Sequence, residues 1–443
     1  MSARAERRPV GQALTPEDRA IGADVLLRHL RREPANSLPA LTETQWDAVV
    51  SEAIRQRVAP LAFRRIKAGP AHAVIPPPAL QRLADYHLRS SFRNVLVLRQ
   101  AASAAQLLAT RGIPVIFLKG VHLAGWIYPE AALRSMADID LMVPRERLAD
   151  AEQIFVEAGF GPLPRQDFGE RLNRYAHIAP LRRKGSLDLE VHYSIERPTS
   201  PFRIDVAQLW ERSRQAVLEE TPVRLLSAED LLLHLCLHAS YHHRYDRSPL
   251  KGLLDVAAVV TRHEADLDWV ALVGRARQWG ATRFVYCTLR LAREVLDAPI
   301  PVPALEPLGP ESADEEVIAI ARHFIVTPPA ELPRAYQELR EKRGIRDRLA
   351  WLTRNIFLPP DRLRRLYGLR PGSPLVYAYY LVRPFDLLIR RGVLLARVAL
   401  RTRELRPTLE RERSRDRIND WVDRADDEPS RRAAVNGSSV PLG

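Results

Sequence analysis

At 443 residues the chain is too long for one ordinary small domain and suggests two or three units; its 46% hydrophobic content excludes wholesale disorder. Its two cysteines, Cys236 and Cys287, supply neither a disulfide framework nor a zinc spacing, and no run reaches the roughly 18 apolar residues of a membrane span. The formal charge of +13 calls for an anionic partner or for many solvated basic faces; arginine is scattered end to end without an aromatic-interleaved cluster, so nucleic acid is possible but not indicated.

Residues 1–17 read as a disordered leader without the apolar segment of a secretory signal, which makes the cytoplasm the expected location. Residues 18–110 carry helical periodicity. Ile21, Val25, Leu26 and Leu30 share one face, and Trp46, Val49, Val50 and Ile54 share another, with Thr42 or Thr44 as cap. Pro76-Pro77-Pro78 marks a break, Asn94 to Leu108 a long amphipathic helix, and Arg111-Gly112-Ile113-Pro114 a turn.

Residues 111–226 hold the chemistry. The run Val115-Ile116-Phe117-Leu118 reads as a strand ending on Lys119-Gly120, where glycine permits a tight bend or the close approach of a ligand. A short helix, Val121 to Tyr128, precedes an apolar strand broken only by Asp138 and Asp140. Alternation puts both acids on one face and Ile139, Leu141 and Val143 on the other. Two acids there repel each other and lose hydration unless a cation joins them, and a hard divalent ion suits oxygen ligands. On this account, removing either charge should leave the apo protein as stable as before, or more so.

Arg145 to Ala158 reads as a helix closed by Gly159, residues 161–175 as irregular, and His177–Leu181 as a strand before an Arg183-Lys184-Gly185 turn. The next strand puts Leu187, Leu189 and Val191 on one face and Asp188, Glu190 and His192 on the other, offering a third carboxylate.

Residues 227–405 are read as helical again. His234, His238 and His242 recur on one face of a helix from Glu229 to Tyr241, as a packed or substrate-facing stripe rather than a metal site. Leu253 to Val260, Ala271 to Gly280, Glu316 to Ile325 and Glu331 to Arg354 continue the helices, with a Pro-rich loop at Pro299–Pro310. The stretch 373–400 reads as a bundle helix with snorkelling arginines in preference to a membrane-surface helix. Residues 406–443 are expected to be a disordered, charged tail.

Several of these residues in order carry a resemblance: Leu118-Lys119-Gly120, Tyr128-Pro129, Arg134, Asp138-Ile139-Asp140-Leu141 and Glu190-Val191-His192, then the Leu231–His238 run, Leu253-Leu254-Asp255-Val256 and Asp268-Trp269. Over about Trp46 to Phe357 the chain resembles the uncharacterised nucleotidyltransferases of the DNA polymerase β-type superfamily. The resemblance implies an α+β fold, with a mixed-sheet palm core between N- and C-terminal helical regions. It also implies transfer of a nucleoside monophosphate from an NTP to a hydroxyl-type acceptor on a small molecule, protein or nucleic-acid end. Asp138, Asp140 and Glu190 would be catalytic and bind Mg²⁺, with Mn²⁺ as an alternative; Asp188 shares a face with Glu190 and competes for the third place. Lys119, Gly120, Arg134 and Ser135 would hold the phosphates, Lys119-Gly120 standing where the superfamily usually has Gly-Gly or Gly-Ser. Arg134 could instead pair with Asp138 or Glu130. Asp188, His192, His234 and His238 would face the substrate. The alternative is a non-catalytic palm that binds nucleotides or polyanions.

Overall fold

The apolar stretches on either side of Lys119 and Asp140 meet as the centre of a mixed sheet. The computed structural model describes residues 14–32, 40–162, 176–246, 248–309, 312–327, 357–370, 373–383 and 406–436, with a few single positions besides. Among these, β1 (Ile116–Phe117) pairs antiparallel with β2 (Asp138–Met142), and β2 pairs parallel with β5 (Asp188–His192). The edges are β3 (Gly161–Pro162) and β4 (Leu181–Arg182) on one side, and the β6–β7 hairpin (Arg214–Leu218, Thr221–Leu225) on the other. The seven strands run in the order β3-β4-β5-β2-β1-β7-β6. The fold is α+β.

One sheet face is apolar because alternation points Phe117, Ile139, Leu141, Leu189 and Val191 that way. There they pack against α4 (Pro77–Ala109) and α6 (Leu148–Glu157) through Val97, Ala101, Leu108 and Phe155. Burying one such side chain contributes about 1.5–3 kcal/mol. The opposite face carries Asp138 and Asp140 and looks towards the helices that follow the sheet.

Those helices are α8 (Ala228–Leu237), α9 (Pro249–Arg262), α10 (Trp269–Trp279), α11 (Thr282–Leu296) and α13 (Ser312–Val326). They share a core with α1 (Pro16–Leu30), α2 (Glu43–Arg55) and α3 (Ala59–Ala68), in which Leu26, Trp46, Leu253 and Phe284 are buried together. Up to residue 328 the two helical regions are therefore one body, built on a single shared core. Capping boxes at Thr15 and Thr42 start α1 and α2, each satisfying two backbone or side-chain donors at the helix entrance.

The chain divides into a unit of residues 1–328 with 417–443 and a second unit of residues 329–416. In the second, α14 (Pro360–Leu366) leads to Tyr367, whose hydroxyl donates to Asp386 at 2.9 Å, while Leu375, Tyr377, Leu381 and Phe385 are exposed. No described helix is long and apolar enough to cross a membrane. Apart from single positions, the expected helix at 331–354 and the 387–400 part of the apolar stretch lie outside the described residues, as do 1–13 and 163–175.

Four expectations need correction. The tail is not without structure: Arg406–Asn436 is a helix, α15, and Ile418, Trp421, Val422 and Ala425 are buried. Its charged composition hides a stripe at helical spacing, and the Trp421 indole donates to Asp314 at 2.8 Å. The β6–β7 hairpin was not foreseen, because Glu219 and Glu220 at its turn lack the usual glycine; Glu219 adopts φ 51° instead. The expected Val121–Tyr128 helix is a single turn, α5 (Lys119–His122), continued by a π-turn over Leu123–Ile127. The His177–Leu181 strand shrinks to Leu181–Arg182 plus an isolated bridge from His177 to His192.

Candidate active site

The parallel register of β2 on β5 sets Asp138 opposite Asp188, Asp140 opposite Glu190 and Met142 opposite His192. With a period of two, all the polar members of these pairs share the sheet face turned away from α4. Lys119 follows β1, and its ammonium reaches Asp140 Oδ1 at 2.9 Å; His192 Nε2 lies 3.1 Å from the same oxygen and 3.6 Å from Glu190. Lys119 has φ 36°, a left-handed conformation that costs a non-glycine residue energy, and holds it at the lip of the site.

The two aspartates differ. Burial favours a neutral Asp140, but Lys119 and His192 outweigh it and hold its carboxyl well below the usual range. Among the described residues Asp138 has no ion-pair partner; burial together with repulsion from Asp140 and Glu190 outweighs the more distant Lys119 and Arg134 and pushes its pKa up. Burial would lower the pKa of Lys119, yet Asp140, Glu190 and Asp138 overcome this and keep it charged. Burial likewise works against a charged His192, and its contacts with Asp140 and Glu190 prevail and raise its pKa.

Asp140, Glu190 and His192 each bring a ligand atom within 4.8 Å of the others, the one such cluster among the described residues. The donor set of carboxylate oxygens and an imidazole fits a divalent cation. Asp188 is set apart from the cluster by an ion pair with Arg182.

Of the expected phosphate ligands, Arg134 is buried and gives two hydrogen bonds to Asp255 of α9, at 3.2 and 2.9 Å. It pairs with neither Asp138 nor Glu130, and Tyr128 also donates to Asp255, at 2.9 Å. Gly120 is needed for space, since a Cβ there would lie 3.3 Å from Arg134 Nη1 and 3.4 Å from Met136 Sδ. The Ser135 hydroxyl donates to the Arg57 carbonyl at 3.2 Å.

The histidine stripe lies on the same side of the sheet. His234 and His238 have pKa values well below the usual one, from burial first and then the positive charge of Lys119. His238 Nε2 is 2.9 Å from His243 Nε2, so one of the rings donates to the other, and His242 Nε2 is 2.7 Å from Glu196.

Next to Arg134 opens a cavity of about 520 Å³ with Arg57, His238, His243, Ser248 and Lys251 in its wall. Among the described residues Lys251 makes no ion pair; burial, then the neighbouring Arg134, brings its pKa down to about 8. Sequence reasoning missed Lys251 and Arg57, which are far apart in the sequence and meet only in the fold. Asp255 was legible in part, because an acid inside an apolar helical run implies a buried cation.

A mixed sheet presenting paired carboxylates beside a basic cavity is the constellation of a nucleotidyltransferase. Residues 42–297, more than half of the chain, match the uncharacterised nucleotidyltransferase family. The chain belongs to that family. No curated protein matches it. Among solved structures it is similar to the antibiotic-resistance factor ANT(2'')-Ia, at 20% identity over 45% of this chain and 96% of the other, with a TM-score of 0.30. An antigenic nucleotidyltransferase-like protein from Paracoccidioides brasiliensis is similar at 16% identity over 48% of this chain and 96% of its own, with a TM-score of 0.29.

Proposed function

We propose that this nucleotidyltransferase moves a nucleoside monophosphate from an NTP to a hydroxyl-type acceptor with Mg²⁺, or alternatively Mn²⁺, as its ion. The observation that carries the reading is the β2–β5 register, which gathers Asp138, Asp140 and Glu190 on one face with Lys119 reaching over them. Asp140, Glu190 and His192 would hold the ion, with Asp138 completing the set on the same strand. When bound, the ion supplies charge neutralisation at the phosphoryl group under attack.

The remaining work belongs to the chain. Lys119 exchanges its contact with Asp140 for the donor's phosphate oxygens as a compact point charge. Lys251 and Arg57, which pair with no carboxylate among the described residues, offer positive charge in the cavity for the rest of the triphosphate. Arg134, fixed by Asp255, supports the Gly120 turn and adds its field to theirs. Glu190, with one oxygen towards the ion, accepts the proton of the acceptor hydroxyl on the other; the hydroxyl oxygen bonds to the α-phosphorus as the bond to the β-phosphate oxygen breaks and pyrophosphate leaves.

Thermal unfolding with each of the four NTPs, with and without Mg²⁺ or Mn²⁺, tests this. One or more NTPs should stabilise the protein only when the ion is present, and Asp138→Asn should remove that stabilisation. An absence of stabilisation by every NTP with either ion refutes the proposal. The Lys119–Asp140 ion pair favours one other reading, a non-catalytic binder in which lysine permanently takes the cation's place. Stabilisation by NTP that is indifferent to the ion selects it.

A further inference from the structure

We infer that the acceptor is the end of a single-stranded nucleic acid lying along the outer face of α4, an inference that rests on the transfer reaction proposed above. Two cavities, of about 390 and 710 Å³, adjoin at Arg89 and Arg93, which line both, and are read as one groove. One end is formed by Ser135, Met136 and Ala137, the residues directly before Asp138. The other is walled by the Arg183–Leu187 turn.

The groove's charge is one-sided. Arg57, Arg89, Arg93, Arg99, Arg183 and Lys184 line it, and no described Asp or Glu does. Among the described residues none of the six pairs with a carboxylate: Arg93 donates to the Ala137 carbonyl at 3.3 Å and Arg183 to the Ala158 carbonyl at 3.2 Å. A row of like charges in a concavity repels itself and concentrates positive potential, which a polyanion relieves.

Spacing along the helix makes the row continuous. Tyr86, Arg89, Arg93, Leu96, Gln100 and Ser103 follow one another at steps of three and four residues and share a face. At 1.5 Å per residue this stripe runs about 25 Å, long enough for several phosphates. On the stripe Tyr86 and Leu96 are 39% and 64% exposed, and Phe92 beside it on the same helix is 68% exposed. Rings interleaved with cations suit unstacked bases, which a single strand offers and a duplex hides. A flat bilayer would meet the apolar side chains but would not enter the groove to reach the cations. The strand's end would lie where Arg93 touches Ala137, one residue from Asp138.

The test is fluorescence polarisation of fluorescein-labelled oligouridylate and oligothymidylate with the full-length protein over a salt series. An Arg89→Ala, Arg99→Ala, Lys184→Ala triple variant should bind at least tenfold more weakly. Its plot of log affinity against log salt should flatten by about 2, since each single-strand phosphate contact contributes about 0.7. A Tyr86→Ala, Phe92→Ala variant should bind more weakly with the salt slope unchanged. Stabilisation by NTP and metal ion should survive in both variants; its absence from the wild type too would refute the transfer reaction without touching the oligonucleotide result. No binding by the wild type at low salt, or equal affinity in the triple variant, overturns the inference. So does a triple variant that keeps oligonucleotide affinity but no longer sediments with phosphatidylserine vesicles, which would make α4 a membrane-facing surface.

Discussion

Asp138 and Asp140 look interchangeable in the sequence, but replacing each with Asn should give opposite results in the apo protein. The Asp140 side chain is 5% exposed and that of Lys119 16%, so their ion pair is largely removed from water. Breaking a buried pair from one side costs roughly 3–5 kcal/mol, because the charge left behind stays desolvated. Glu190 and Asp138 still face Lys119 after Asp140→Asn, so the low end, about 3 kcal/mol, applies. At about 2 °C per kcal/mol for a large domain, the melting temperature should fall by about 6 °C. Asp138→Asn removes a repelled carboxylate without an ion-pair partner, and the apo melting temperature should stay level or rise. Unfolding followed by circular dichroism in the presence of a chelator compares the three proteins. A Lys119→Met, Asp140→Asn double variant should recover most of the loss, since it leaves no stranded ammonium. Equal shifts in the two single variants, or a double variant no better than Asp140→Asn alone, would refute the account of Lys119 as the counter-ion of Asp140.

Three more outcomes follow from partners that the fold brings together. Asp255→Asn removes the negative charge that faces the buried Arg134 guanidinium and sets an amide N–H donor where Arg134 Nη2 finds an accepting oxygen, and urea unfolding should show a loss of roughly 3–5 kcal/mol. Lys251 titrates at about 8 in the folded protein against an ordinary 10.5, so between these values the unfolded chain binds more protons and the group's contribution to stability rises with pH. Below pH 8 its penalty is fully present; Lys251→Met should therefore melt higher than wild type at neutral pH, with the gap closing as pH rises from about 8 towards 10.5. Trp421→Ala should cost roughly 3–5 kcal/mol in the same urea assay, as the indole is fully buried against Phe284 and bonded to Asp314.

What could be read from the sequence was what depends on local period. Alternation placed Asp138 with Asp140 and Glu190 with His192, and strands that alternate so cleanly have little freedom in which face they bury. Helices with strong stripes, such as the one containing Trp46, were equally plain. What could not be read depends on contacts between distant segments. Nothing near Arg134 names Asp255, which lies 121 residues away, and the pairing of Lys119 with Asp140 depends on how β1 turns beside β2. The helix of the tail was obscured because four buried positions are diluted by charged residues that face solvent.

The excess of positive charge was the observation for which composition had no answer, and the structure separates two populations of basic residues. On several helix surfaces arginine is matched locally: Arg28 with Asp24, Arg147 with Asp150, Arg290 with Glu294. Exposed pairs like these contribute at most about 1 kcal/mol each and bring no net charge. Near the carboxylates the pattern changes: among the described residues no carboxylate pairs with Arg57 or Lys251 in one cavity, nor with Arg89, Arg93 or Arg99 of α4 in the groove that shares Arg57 with it. A composition that merely favoured arginine would scatter acids among these positions as it does on the solvated faces. Instead these cations come from the turn after α2, from α4, from α9 and from the β4–β5 turn, and line cavities of which one reaches Ala137, next to Asp138. In the transfer to a nucleic-acid end proposed above, both substrates carry negative charge that must be held close to three carboxylates. Positive charge gathered near those carboxylates offsets that repulsion before either substrate arrives.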